Sequence, residues 1–427
     1  MLKNQPTSNI LSDWLSYIDL INPKTIELGL DRARQVKERC HLNPTFPIII
    51  VGGTNGKGSS CKFLESILHR AGYKVGCYTS PHLYNFNERI SINTTPLSDD
   101  LIIESIKHID NNRKDILLTY FEITTLAAIN LMIEENIDIA ILEVGLGGRY
   151  DAVNVFEPHI SLLTSVGLDH QDYLGETLEE IGYQKAGIFR TSKDAVINIS
   201  NPPLSVVNYA NEIGAKISAI KNDYKIELQK KSFDYISLGT HISDLAYPSL
   251  LGSHQIHNIA GVLRCIELLP SNFVVKKQAI EEGLIACKLS GRMEIINQNP
   301  FVLADVAHNP EASLNLYNFL YKSKGKGKLY AVFSILSDKN IDGVIAPFLE
   351  IVDEWYISKI QSARAKPLME IVQSIKNFKP EATINIRDDL KSAYLNAFEK
   401  CSLNDNIVVF GSFYTVYECL TETSIND

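Results

Sequence analysis

Short apolar runs alternate with helix-length amphipathic segments along almost the whole chain. The runs at 47–51, 74–79, 137–144, 159–166 and 195–199 are rich in Ile and Val and do not alternate apolar with polar, as expected of strands covered on both faces. Between them, segments such as 57–71, 121–135 and 178–189 carry helical periodicity. This order predicts a mostly parallel sheet layered with helices. After Asn201-Pro202-Pro203 the texture changes: 216–220, 224–228 and 235–238 predict a local antiparallel insertion, followed by helices around 254–268 and 275–287. A break falls at 297–300, and beyond it strands at 301–306, 328–335, 354–360, 383–387 and 406–410 alternate with helices at 311–321, 341–351, 367–377 and 388–401. The expected fold class is α/β: a P-loop-containing, mostly parallel sheet domain at 1–297, then a smaller Rossmann-like α/β domain at 298–427.

A length of 427 residues is too great for one ordinary core and suits two. Lys and Arg number 41 against 50 Asp and Glu, a formal charge of −9, which argues against nucleic acid or an anionic membrane as partner. Anionic small molecules stay open, because a local site can be positive on a negative protein. No apolar stretch reaches the ~20 residues of a spanning helix. The opening MLKNQPTSNILSDWL has neither the basic nor the apolar region of a secretory signal, so a cytoplasmic location is expected, and the chain is expected to act as a monomer. Seven dispersed cysteines without a CxxC read as buried thiols, not as a disulfide framework or zinc site. The basic run 322–328 reads as a solvated turn before a strand.

Candidate chemistry begins at Ile48-Ile49-Ile50-Val51-Gly52-Gly53-Thr54-Asn55-Gly56-Lys57-Gly58-Ser59-Ser60, an apolar strand, a Gly-rich turn and a helix start. Glycines let main-chain N–H groups curl around phosphate oxygens, and the helix N-terminus adds partial positive charge. Lys57 would reach the β- and γ-phosphates, and Ser59 or Ser60 could face the cation. The GxxxxGK[ST] pattern is broken by Val51 at its first position and by Gly58 after the lysine; the bland alternative is a Gly-rich turn with a surface lysine. Glu143 ends the apolar run at 137–144, and His170, preceded by Asp169, follows that at 159–166. Two such strand ends beside a phosphate loop suggest a Mg²⁺ site. Alternatively, Glu143 caps a loop or pairs with Arg149, and His170 is structural. Lys185 is, from the sequence alone, an ordinary helix lysine.

The GTNGKGS loop resembles the ATP loop of the Mur ligase superfamily, in particular its folate branch. Further segments resemble that branch's signatures: Tyr78-Thr79-Ser80-Pro81-His82-Leu83 with Phe86-Asn87-Glu88-Arg89-Ile90, Glu143 through Asn154 (EVGLGGRYDAVN), Thr164 through His170, Lys185-Ala186-Gly187-Ile188, Ser290-Gly291-Arg292 and Asp305 through Pro310. The resemblance runs over essentially the whole chain. It implies Mg²⁺, in two ions, on Ser80, Glu143, His170 and Lys185, with Lys185 bearing a CO₂-derived carbamate. It implies ATP contacts at Gly56, Lys57, Gly58, Ser59, Asn258, Arg292, Asp305 and His308, and catalytic roles for Lys57, Lys185 and His170. For a pteroate or folate substrate it implies Ile26, Glu27, Leu28, Thr119, Tyr120, Phe121, Glu122, Tyr150, Asp151 and Ala152. Tyr120 and Phe121 could equally form the buried face of a helix, Asn258 a helix N-cap, and Arg292 part of an interdomain ion pair.

The activity implied is an ATP-dependent ligase that adds L-glutamate to dihydropteroate and to the glutamate tail of reduced folates through an acyl phosphate. The stretch from Trp14 to Arg32 resembles the N-terminus of the two-reaction bacterial enzymes, although Glu27 stands where a shorter Asp is common. The alternatives are an enzyme that only extends the tail, a peptidoglycan Mur ligase, against which the SPHL…FNERI segment speaks, and a P-loop switch, which in its GTPase form would carry an NKxD motif that is absent.

Overall fold

The computed structural model describes residues 5–22, 27–323, 325 and 327–421. They form two compact units: 1–167, 171–249 and 256–287 in the first, and 168–170, 250–255 and 288 onwards in the second. Within the first, an eight-stranded sheet runs Thr95–Pro96, Ile90–Ile92, Val75–Tyr78, Ile139–Glu143, Ile48–Gly52, Ile160–Leu163, Asp194–Ile197, Lys216–Ala219. The two outermost strands at the Thr95 end join through antiparallel pairs; all other neighbours are parallel. Every residue of Ile48–Gly52 and of Ile139–Glu143 is buried, which explains why both runs are apolar without alternation. Chain order reverses on either side of Ile48–Gly52, and the carboxyl end of such a strand is where open α/β sheets place their ligands.

Two expectations are corrected in this unit. Lys216–Ala219 is not part of the antiparallel insertion: it pairs in parallel with Asp194–Ile197 after a crossover through the helix Leu204–Glu212. As an edge strand it is only partly buried, so its sequence lacks the apolar density of its neighbours. The insertion is Tyr224–Leu228, Ser232–Ser237 and Thr240–Ala246, an antiparallel sheet whose last strand was not anticipated. The phosphate-loop helix Lys57–Arg70 packs on Lys277–Ala286 at close range: Ser66 Oγ donates to the Gly283 carbonyl at 2.8 Å, and a Cβ on Gly283 would lie 2.6 Å from Ile67 Cα.

The second unit holds a six-stranded sheet in the order Glu294–Gln298, Phe301–Asp305, Asn406–Phe410, Leu329–Phe333, Glu354–Ile357, Thr383–Ile386, parallel apart from its first pair. The break at 297–300 is therefore the turn of a hairpin inside this unit, and the compact units part between Cys287 and Lys288. The Asn-Pro turn that suggested a linker ends a strand instead. Aromatic rings fill this core, Phe410 lying 4.4 Å from Phe348 and 4.9 Å from Phe333, centroid to centroid. All seven cysteines are free. Among the described residues no helix is long and apolar enough to cross a membrane. Phe410→Ala should remove about 3–5 kcal/mol of stability, measured as a lower urea midpoint; an unchanged midpoint would show that the ring cluster does not hold this unit together.

Candidate active site

The turn after Ile48–Gly52 is shaped by close packing. Gly53 has φ +148° and Gly56 φ +84°, backbone that favours glycine, and a Cβ on Gly53 would lie 2.0 Å from Thr164 Oγ1. The turn is laced to the end of the neighbouring strand. Thr54 N–H donates to the Ser165 carbonyl at 3.0 Å, Asn55 N–H to Ser165 Oγ at 2.8 Å, and Thr164 Oγ1 to the Asn55 carbonyl at 2.7 Å. Gly167 N–H reaches Thr54 Oγ1 at 2.9 Å. A Cβ on Gly56 would sit 2.4 Å from Asn258 Oδ1, so Asn258 closes over the start of the helix Lys57–Arg70. Asn258 lies in the second turn of His254–Glu267 and is not its N-cap.

Two ammonium groups share one carbonyl of this loop. Lys57 Nζ donates to Gly53 O at 3.0 Å and to Thr54 O at 3.2 Å, while Lys185 Nζ, on a buried side chain in the last turn of Leu178–Ala186, donates to Gly53 O at 3.0 Å. Ser59 and Ser60 are both buried behind the loop. Glu143, only 4% exposed, pairs in register with Val51, and its Oε2 accepts from Ser80 N–H at 3.1 Å. Serine and carboxylate oxygens suit a hard divalent cation. Among the described residues no three His, Cys, Asp or Glu side chains gather into a ready metal cluster. Gly56, Lys57, Ser80, Glu143, Lys185 and Asn258 are thus all placed by the first unit around the carboxyl edge of its sheet.

A second group forms around the start of the helix Tyr120–Glu134. Thr119 and Glu122 make a capping box, with Thr119 N–H donating to Glu122 Oε2 at 2.7 Å. Arg32, which the sequence did not single out, reaches Glu122 at 3.2 Å and Glu27 at 3.4 Å and so joins the N-terminal segment to this helix. Leu28 is exposed, and Ile26 lies outside the described residues. Tyr120 is half-buried, its ring 5.7 Å from the Arg89 guanidinium, whereas Phe121 packs against Tyr78 and Gly145. Arg89 Nε donates to His82 Nδ1 at 2.9 Å, and burial together with the Arg89 charge pushes His82 down to about 4, leaving a neutral imidazole as acceptor.

In the second unit, Asp305 ends a strand and accepts from Met293 N–H at 2.8 Å and Ala307 N–H at 2.7 Å, with burial pushing its carboxyl up. Arg292 stacks on Phe413 at 5.2 Å. His308 and His170 flank Asp169, at 3.6 and 3.9 Å, and Lys339 pairs with it at 2.6 Å. Burial alone would push Asp169 up; the neighbouring His308, His170 and Lys339 outweigh it and hold the carboxyl well below its usual range. No sequence signal pointed to Lys339, 170 residues away from its partner.

Tyr150 is exposed and Ala152 buried, while Asp151 is buried and turned onto its own loop, accepting from Leu146 N–H at 2.8 Å and Val153 N–H at 3.1 Å. Burial pushes it up to about 7 against those two hydrogen bonds. Between the unfolded value near 4 and the folded value near 7, the folded state holds a proton that the unfolded state has lost, so this group's contribution to stability falls as pH rises across that window. Urea midpoints of Asp151→Asn and the unsubstituted protein should therefore diverge in favour of Asn from about pH 4 to about pH 7; a difference independent of pH would show that Asp151 titrates normally.

The Mur ligase middle domain matches residues 51–266, and the Mur ligase glutamate ligase domain matches residues 291–413. The dihydrofolate synthase/folylpolyglutamate synthase of Escherichia coli is 35% identical, over 97% of this chain and 96% of its own. That of Haemophilus influenzae is 34% identical over 96% of both. Among solved structures, E. coli FolC in complex with DHPP and ADP superposes with a TM-score of 0.92 at 34% identity, covering 98% of each chain. A bifunctional folylpolyglutamate synthase/dihydrofolate synthase with Mn, AMPPNP and L-glutamate bound gives 0.90 at 36% identity, covering 98% of this chain and 99% of the other. This chain belongs to the Mur ligase family, on the branch of the dihydrofolate synthase/folylpolyglutamate synthases.

Proposed function

We propose that this chain is an ATP-dependent carboxylate–amine ligase that joins L-glutamate to dihydropteroate and to the glutamate tail of reduced folates. The observation that supports this above all is the Glu27–Arg32–Glu122 contact, which sets the N-terminal segment beside the phosphate-loop sheet in a chain whose relatives carry the two-reaction name. The extension-only enzyme remains the alternative tested below.

In this reading Gly56, Lys57, Gly58 and Ser59 cradle the nucleotide phosphates, with loop N–H groups and the Lys57 ammonium meeting the negative charge. Asn258 is a further ATP contact on the first unit; Arg292, Asp305 and His308, on the second unit, are the other ATP contacts that the family resemblance implies. Ser80 and Glu143 would hold Mg²⁺, which when bound would screen the repulsion between a carboxylate and the γ-phosphate; His170, on the second unit, is a further ligand that the family resemblance implies. Lys185 takes up CO₂: its neutral amine forms an N–C bond, a proton leaves to water, and the resulting carbamate anion helps hold a second ion. Glu27, Leu28, Thr119, Tyr120, Phe121, Glu122, Tyr150, Asp151 and Ala152 border the pteroate or folate.

The substrate carboxylate oxygen attacks the γ-phosphorus and the bond to the departing ADP oxygen breaks. The neutral amine of L-glutamate then attacks the acyl carbon, the bond to phosphate breaks, and the nitrogen gives up a proton to solvent as the amide forms.

Incorporation of labelled L-glutamate with Mg²⁺ and ATP should occur with dihydropteroate and with tetrahydrofolate in separate reactions. Product from tetrahydrofolate alone would leave only the extension activity, and product from neither would reject the folate reading. Lys57→Ala should abolish incorporation from both while leaving the urea midpoint nearly unchanged; global unfolding of that variant would make Lys57 a structural residue.

A further inference from the structure

Arg149 has no role in the reading above, yet two of its parts meet there. It lies in the loop after Ile139–Glu143, one residue before Tyr150. Its guanidinium stands 4.1 Å from the ring centre of Tyr183 and 4.4 Å from that of Tyr209, two rings that meet edge-on at 5.6 Å. Nη1 donates to the Tyr209 hydroxyl at 3.4 Å, and Nη2 to the Tyr183 carbonyl at 3.3 Å. The main chain is engaged as well: Arg149 N–H donates to the Gln184 carbonyl at 2.9 Å, and its carbonyl accepts from Asn154 Nδ2 at 3.0 Å. Tyr183 and Gln184 are the two residues before Lys185. The packing leaves no slack, since a Cβ on Gly187 would lie 2.4 Å from Arg149 Cβ and one on Gly148 would lie 2.8 Å from the Lys185 carbonyl. One side chain therefore pins the loop to both Leu178–Ala186 and Leu204–Glu212.

The arrangement is not the one that stability alone would favour. Among the described residues the Nε of Arg149 is buried without a hydrogen-bond partner. A buried N–H left unmet weakens a fold, and a local rule broken in this way marks a residue kept for placement.

We propose that Arg149 is a positioning residue: through Tyr183, Gln184 and Tyr209 it fixes the register between Lys185 and the loop bearing Tyr150, Asp151 and Ala152. Cation–π contact with the two neighbouring rings supplies the hold. The inference rests on the proposed carboxylation of Lys185, so its test reads that group directly.

Full-length Arg149→Met, Arg149→Lys and the milder Tyr209→Phe would be equilibrated with ¹³C-bicarbonate and observed by ¹³C NMR for a carbamate resonance. The kcat and KM for glutamate transfer and the calorimetric Kd for ATP would be measured alongside. For Arg149→Met, kcat should fall about 10- to 100-fold, as for residues that orient a reacting group, with a weaker carbamate signal and an ATP Kd within about twofold of the unsubstituted protein. Arg149→Lys should recover part of the loss, and Tyr209→Phe should shift kcat and the signal in the same direction even if Arg149→Met fails to fold. A carbamate signal and kcat of full strength in the folded variants would overturn the positioning role. No resonance in the unsubstituted protein would instead reject the carboxylation of Lys185.

Discussion

A phosphate loop works only if its backbone N–H groups keep their direction whether or not a ligand holds them, and here the neighbouring strand meets that constraint. Thr164 and Ser165, at the end of Ile160–Leu163, hydrogen-bond the loop at Thr54 and Asn55 and leave no room for a side chain on Gly53. Position in the sheet follows: strands on both sides of Ile48–Gly52 end at the same edge, so Glu143 arrives from one side and Thr164 from the other. Lys57 and Lys185 then meet at Gly53 because the loop carbonyl is fixed. With a larger residue at position 53, the rest of the site would have nothing to register against.

Several motif carboxylates spend their oxygens on main-chain N–H groups. Asp151 serves Leu146 and Val153, Asp305 serves Met293 and Ala307, and Glu122 serves Thr119. These bonds satisfy donors that would otherwise be buried unmet, and they set the curvature of the loops at the strand ends. The structural and chemical interpretations of such residues are therefore not rivals: the carboxylate that shapes a loop is also held rigid for whatever approaches it.

Local pattern made much of this legible. Apolar runs located the buried parallel strands to within a few residues, and the loop at Gly52 declared itself by composition. Where burial departs from periodicity the sequence misleads. Tyr120–Glu134 is buried along nearly all its middle, so Phe121 and Glu122 face protein on a helix that shows no polar side there. The edge strand Lys216–Ala219 is too polar to look like a member of the main sheet. Pairings across long sequence separations left no trace: Arg32 with Glu122 and Asp169 with Lys339 depend on chain reversals that no local window contains. Asn258 was visible as a motif residue, but its contact with Gly56 came only from the return of the chain to the phosphate loop.

That return has a consequence for biosynthesis. The helix Lys57–Arg70 is covered by Lys277–Ala286, and Gly56 is closed over by Asn258, so the unit whose first strand begins at Ile48 lacks two of its walls until residue 286 has been made. Until then, a nascent chain emerging N-terminus first leaves the apolar back of the phosphate-loop helix uncovered. The phosphate-loop unit is thus finished late, and a chain stopped before the Gly283 crossing would lack the helix that covers Lys57–Arg70.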